Sequence, residues 1–264
     1  MTNVQTVYDF LQEKAPFELQ LGFDNAGFLV GRRDAAVSRI LVSLDITEPV
    51  IQEAVERKAQ LIVSHHPVIW GGAKSVTDQT PTGRKLLALA ENHIAAICAH
   101  TNLDTVADGV NDALARRLGL SDIAQLKQDG VDGRGRPYGL GRVGRVEEQP
   151  LKDFARFVKK ELGANGVRLV DGGRPVRKVA VGGGSCSDMM GDALALGCDT
   201  FVTADVKYDG FLDAKALGLN LIDAGHFPTE NVVCPVLEDF LRSRFPGLAV
   251  IRSSVHRDVI HYYV

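Results

Sequence analysis

The chain has 264 residues, 45% hydrophobic and 24% charged, which is ordinary globular composition and allows one large domain or two smaller ones. A net charge of −3 argues against wrapping by nucleic acid, which needs many cationic contacts. No apolar run is long enough to cross a bilayer.

The first part of the chain alternates helix-like and strand-like segments. Val7, Phe10 and Leu11 recur at helical spacing within Val4 to Lys14. Ser38 to Leu44 reads as a strand, followed by Asp45. Thr47 is a helix N-cap for Glu48 to Lys58, and Leu61 to Val63 is the next strand. Thr82 to Asn92 is a helix, His93 to Ala99 a strand, and Gly109 to Leu118 a helix stopped by Gly119. Alternation of this kind predicts a mainly parallel sheet with covering helices.

Composition shifts at Lys127 to Arg145, a glycine-rich stretch and the best internal boundary. A second α/β block follows. Pro150 to Leu162 is a helix with proline near its start. Val176 to Val181 is a strand, Ser187 to Leu196 a helix, and Thr200 to Asp205 and Leu219 to Ala224 are strands. The tail has strand propensity at Ala249 to Ile251 and Val259 to Tyr263. The expected fold is therefore α/β: two α/β domains of similar type, with mixed sheets flanked by helices. Residues 1–126 with 226–264 would form the first domain and 127–225 the second.

Cys98, Cys186, Cys198 and Cys234 are scattered and form no C-x-x-C pair. That predicts reduced thiols in the cytoplasm rather than a disulfide framework. Met1 to Gln5 lacks the basic start and apolar core of a secretory leader.

Chemistry concentrates where apolar strands end. His65 and His66 follow Leu61-Ile62-Val63-Ser64, His100 follows His93 to Ala99, and His226 follows Leu219 to Ala224. Side chains adjacent on a strand point to opposite faces. His65 and His66 can therefore serve one site only if the strand has already ended, as Pro67 ensures by lacking an N–H. Asp104 lies four residues after His100, and Glu230 four after His226. Imidazole and carboxylate without thiolate suit a borderline divalent cation such as zinc, iron, manganese or nickel. The set exceeds what one tetrahedral zinc needs, and two cations about 3.5–4 Å apart would use it fully. His93, His256 and His261 have no such company and read as structural.

The whole chain, from about Val4 to Val264, resembles the NIF-three-like family of GTP cyclohydrolase I type 2 homologues. Phe23-Asp24-Asn25-Ala26-Gly27-Phe28-Leu29-Val30-Gly31 is similar to its amino-terminal segment. Ser64-His65-His66-Pro67 and His100-Thr101-Asn102-Leu103-Asp104 are similar to its amino-terminal metal motifs. Thr203 to Tyr208 and Asp223 to Glu230 are similar to the carboxyl-terminal ones. The resemblance implies two metals held by His65, His66, Asp104, His226 and Glu230. The two adjacent histidines would go to different metals, and Glu230 would bridge. His100 and Asn102 become neighbours of the site, with His100 as acid/base group.

The resemblance further implies a homohexameric ring, a trimer of dimers, acting on a small, nucleotide-like substrate. Metal-activated water would attack C8 of guanine with loss of formate. The alternative it leaves open is a non-catalytic protein that stores or delivers metal or serves as a ring-shaped scaffold. Two departures are minor: Ala204 stands where the family often has glycine, and Asp209 where it often has histidine. Gly182-Gly183-Gly184-Ser185 admits two readings, a phosphate cradle at a helix start or a tight turn. Asp24-Asn25 is either a pocket wall or a turn.

Overall fold

The computed structural model describes residues 1–263. The chain forms two compact units: Met1–Leu103 with Val233–Arg257, and Asp104–Val232 with residues 258–263. The division thus falls earlier than the glycine-rich stretch suggests. The reason is strand pairing and packing: residues 121–125 pair with the strand over residues 142–149 in the second unit's sheet, and the glycine-rich stretch supplies a two-stranded hairpin and the start of that internal strand.

In the first unit, α1 (Val4–Lys14) is capped by Asn3, whose side chain accepts the Thr6 amide at 2.9 Å. It buries the Val7, Phe10 and Leu11 face that its periodicity announced. Then come β1 (Gly27–Val30), β2 (Arg39–Ser43), α2 (Glu48–Glu56), β3 (Leu61–Ser64), α3 (Pro81–Glu91) and β4 (Ala95–Cys98). Thr47 caps α2 through the Val50 amide, and Thr80 caps α3 through the Gly83 amide.

The short helix α4 (Thr101–Thr105) follows β4, and the chain passes into the second unit at Asp104. There it forms α5 (Val110–Arg117), β5 (Ser121–Gln125), β6 (Gly130–Val131), β7 (Pro137–Tyr138) and β8 (Arg142–Gln149). Next are α6 (Leu151–Leu162), β9 (Arg168–Val170), β10 (Val176–Val181), α7 (Met190–Ala195), β11 (Thr200–Thr203), α8 (Tyr208–Ala216), β12 (Asn220–Asp223) and α9 (His226–Glu230). Helix α10 (Val233–Arg244) and β13 (Ala249–Arg252) return to the first unit. Residues 259–263 form no strand, although their composition favours one.

The first sheet has the order β1-β4-β3-β2-β13, parallel except that β1 runs antiparallel to β4. The second has the order β5-β8-β10-β11-β12-β9, with a parallel centre and antiparallel flanks. The mixed α/β expectation holds for both. Central strands are fully buried runs, such as Leu61-Ile62-Val63, covered by helices. Phe154 of α6 is completely buried against Val179, Val181 and Val202, and removing it would cost about 3–5 kcal/mol. Among the described residues, no helix is long and apolar enough to cross a membrane.

Strand register decides where side chains emerge. In the first sheet Ser43 pairs with Ser64, and Ser64 with Cys98, so β2, β3 and β4 end together. Asp45, His66 and His100 are then each the second residue beyond one edge. Gly27 pairs with Cys98 in the antiparallel strand, so Asp24 approaches from the same edge. In the second sheet Val181 pairs with Val202, and Thr203 with Asp223. The Gly182–Gly184 loop, Asp205 and Gly225 therefore leave its carboxyl edge together. Open α/β sheets carry their sites at such edges.

Candidate metal centre

The first unit gathers three imidazoles. Strand β3 stops at Ser64, so His65 and His66 lie beyond it and are released from strand alternation. The ring centroids of His65 and His66 are 5.0 Å apart, those of His65 and His100 5.1 Å, and those of His66 and His100 5.3 Å. One ring nitrogen from each lies within 4.8 Å of the others, a spacing that could hold a metal ion. His65 is fully buried, and His100 nearly so.

Each ring is oriented through Nδ1. His65 Nδ1 meets the Ala99 carbonyl at 2.9 Å, His66 Nδ1 the Asp45 carboxylate at 2.8 Å, and His100 Nδ1 the Asp24 carboxylate at 2.8 Å. An acceptor at Nδ1 holds the proton there and leaves the Nε2 lone pair to present to a cation, the arrangement that orients metal-binding histidines. The donor set therefore fits a borderline divalent cation.

The carboxylates behind the rings stay ionised. Burial alone would raise Asp24, but hydrogen bonds from His100 and Thr101 outweigh it and hold the carboxyl at about 2. Burial likewise opposes ionisation of Asp45, yet hydrogen bonds from His256 and His66 hold it well below the usual carboxylate range. Asp24 closes the turn that precedes β1, its amide donating to the Leu21 carbonyl at 2.9 Å, and its side chain is buried on His100 and Thr101. The neighbouring Asn25 donates Nδ2 to the Ile69 carbonyl at 2.9 Å and so anchors the loop carrying Trp70. The Trp70 ring stands edge-to-face on His100, with centroids 5.2 Å apart at 86°, yet is 55% exposed.

The second unit brings His226 and Glu230 together on α9, with Asp104 in the same unit. From sequence the His226 and Glu230 motif only follows an apolar strand. It is a short helix, and its four-residue spacing sets both side chains on one face. Gly225, at φ +87°, turns the chain from β12 into that helix. His226 Nε2 lies 2.9 Å from Glu230, and Nδ1 lies 2.6 Å from Asp205. Burial opposes charging of His226, but these two carboxylates prevail and raise its pKa to about 9. Asp205 itself sits at φ +52°, a strained backbone held at a candidate site.

The glycine loop is a bend with Gly184 at φ +64°, in keeping with the turn of the two expectations. Its amides are engaged within the fold: Gly182 donates to the Val202 carbonyl at 2.9 Å, Gly183 to Asn111 Oδ1 at 2.9 Å, and Gly184 to Thr229 Oγ1 at 3.1 Å. That removes the donors a phosphate cradle needs. A Cβ on Gly184 would stand 2.1 Å from Glu230 Oε1, so the loop allows the carboxylate to approach the backbone. Burial and the nearby charges of Asp104 and Glu230 push the Cys186 thiol well up.

Sequence patterns alone assign no site role to Asp45, Trp70 or His256, and they name no partner for Asp205 or Gly184. Asp45 carried a usable signal, since it follows its strand at the same offset as His66 and His100. From sequence His256 reads as structural, but its Nε2 lies 2.9 Å from Asp45. No local pattern marks it, because 211 residues separate the two.

The Duf34/NIF3 (NGG1p interacting factor 3) family model matches residues 2–259. A "GTP cyclohydrolase 1 type 2 homolog" of Clostridium perfringens is 37% identical over 240 residues, covering 90% of each chain. One of the same name from Streptomyces coelicolor is 37% identical over 239 residues, covering 89% of this chain and 84% of its own. A hypothetical protein of Staphylococcus aureus superimposes with a TM-score of 0.91 at 28% identity, covering 99% of each chain. A Bacillus cereus protein related to NIF3 matches the fold with a TM-score of 0.93 at 24% identity, covering 100% of this chain and 99% of its own. The chain belongs to the Duf34/NIF3 family.

Proposed function

We propose that this protein is a dinuclear metal-dependent hydrolase of the GTP cyclohydrolase I type 2 kind. The proposed ligands are His65, His66, Asp104, His226 and Glu230, holding two divalent cations, and the substrate is a small nucleotide-like molecule. The observation that carries the reading is the anchoring of His65, His66 and His100 through Nδ1, two of them by ionised carboxylates. The names of the relatives support the substrate class.

When bound, the cations supply Lewis acidity that brings water's ionisation toward neutral pH and polarises the reacting bond. The rest falls to the chain. His100, with its Nδ1 held by Asp24, accepts a proton at Nε2, and Asp24 stabilises the imidazolium that results. The exposed Trp70 ring beside His100 gives a planar base a surface to stack on. Glu230, buried and held against the glycine loop, keeps one carboxylate orientation.

A metal-titrated assay with GTP that follows formate release tests this reading. Turnover should track metal occupancy and vanish in Glu230→Gln. His100→Gln should keep the metal and lose turnover. Full metal loading without turnover on any nucleotide would assign the chain to metal storage or a scaffold instead.

A further inference from the structure

Strand β13 lies parallel to β2, with Arg252 opposite Val42, so the chain beyond it leaves the sheet at the edge that bears Asp45. The segment Ser253–His256 then meets α2 at Glu53. Its path is fixed by an acidic residue inside the fold. Glu53 of α2 is only 5% exposed. Its carboxylate accepts Ser253 Oγ at 2.6 Å, Ser254 Oγ at 2.7 Å and the Ser254 amide at 3.0 Å. The Ser253 amide adds a bond to the Val42 carbonyl at 2.8 Å, and the His256 amide donates to Ser253 Oγ at 3.3 Å.

This clamp places the His256 ring, whose side chain is 10% exposed, with Nε2 2.9 Å from Asp45 Oδ2. The other Asp45 oxygen, Oδ1, meets His66 Nδ1 at 2.8 Å. One carboxylate is thus held between two imidazoles, one on each oxygen. The terminal torsion of an aspartate is soft and broadly distributed. With a single partner the Asp45 carboxylate could swivel, and His66 would swivel with it. With a partner on both oxygens the torsion is defined.

We infer that His256, clamped by Glu53 through Ser253 and Ser254, is a positioning residue that orients His66 through Asp45. The carboxyl-terminal strap is therefore part of the machinery that presents this imidazole. The inference rests on the reading that His66 is a metal ligand, and it also predicts a property of the metal-free protein. Groups behind a ligand typically change metal affinity about 10–100-fold. His256 stands one step further back, so its loss should weaken binding by about three- to tenfold.

The test uses the full chain and Zn²⁺ in competition with a chelating dye, with ¹⁵N NMR of the histidine rings before metal is added. In the parent protein, His66 should carry its proton on Nδ1. In His256→Ala the His66 signals should move toward a mixture of tautomers, and Zn²⁺ affinity should fall three- to tenfold. His256→Gln, which keeps a donor near the same place, should restore most of both. A purely structural role would lower the melting temperature and leave the His66 tautomer unchanged. Should His256→Ala fold poorly, the Ser253→Ala/Ser254→Ala pair releases the strap without touching the ring and should give the same shift.

Unchanged His66 signals in these variants overturn the inference. If His66→Ala leaves Zn²⁺ affinity intact, the ligand reading fails, and the tautomer measurement still decides whether His256 orients His66. If His66→Ala weakens binding and His256→Ala does not, the ligand reading stands and the relay fails.

Discussion

The two units carry donor sets of opposite character. In the first, three imidazoles converge from the ends of β3 and β4, and each is steadied at Nδ1 by a group from elsewhere in that unit. In the second, histidine and carboxylate share one helical turn and pair with each other. The first set is imidazoles backed by ionised carboxylates. The second is already charged, with His226 an imidazolium between Glu230 and Asp205. The contrast teaches that pre-orientation and charge are supplied separately. Register and buried aspartates orient the first set, and proximity of acid to base defines the second. A cation at His226 must displace a proton, whereas one at His66 meets a ring whose proton is already on the other nitrogen.

The sharpest way to break this contrast is Gly184→Ala. The new methyl would collide with the end of the flexible Glu230 side chain, which can move aside. Adopting φ +64° would cost about 1–2 kcal/mol of stability. Displacing the carboxylate should weaken metal binding by about 100-fold, at the upper end of effects on groups supporting a ligand. Calorimetric titration beside a urea melt separates the two. Intact affinity would mean that Glu230 needs no cradle.

The next largest effect concerns the first unit. Asp24 falls from an ordinary 3.8 to about 2 in the folded protein. A depressed carboxyl adds stability that is complete above the unfolded value and disappears as pH falls through the folded one. The contribution should be on the order of 2 kcal/mol at neutral pH and be lost between about pH 4 and 2. Asp24→Asn should be weaker by that amount at pH 7, and the two stability curves should converge near pH 2. Parallel curves over that range would show that Asp24 does not sense its partners.

Trp70→Ala should raise KM for a nucleotide by about five- to tenfold with kcat nearly unchanged, the loss of one stacking surface worth about 1 kcal/mol. Trp70→Phe should recover most of it. A fall in kcat alone would place Trp70 on His100 rather than on substrate.

The smallest expected change is none at all. Cys98 is pushed up to about 12 and Cys198 to about 11 by burial, and all four thiols are buried. The native protein at pH 8 should resist a thiol reagent that labels every cysteine in denaturant. Labelling of Cys186 alone would reveal opening of the glycine loop beside Glu230.

Much of this was legible in the chain. The α1 periodicity, the Thr47 cap, the buried strands and the clustering of histidines after strand ends are local patterns that sequence periodicity carries directly. Short edge strands such as β9 and β6 left no signal, because two or three residues are too few to show alternation. The unit boundary was displaced because β5 pairs with β8 across the glycine-rich stretch, and pairing between distant strands is not written in local composition.

By itself the sequence determined the kinds of donor and their places after apolar strands, because hydrophobic runs must be buried and the polar residues that end them emerge at the sheet edge. Only the tertiary structure decided what stands behind each donor. Asp24 reaches His100 across 76 residues, His256 reaches Asp45 across 211, and Gly184 yields space to Glu230. Those relations depend on strand register and on the course of the returning carboxyl-terminal segment. They arise from packing over long chain separations and leave no mark in the residues on either side.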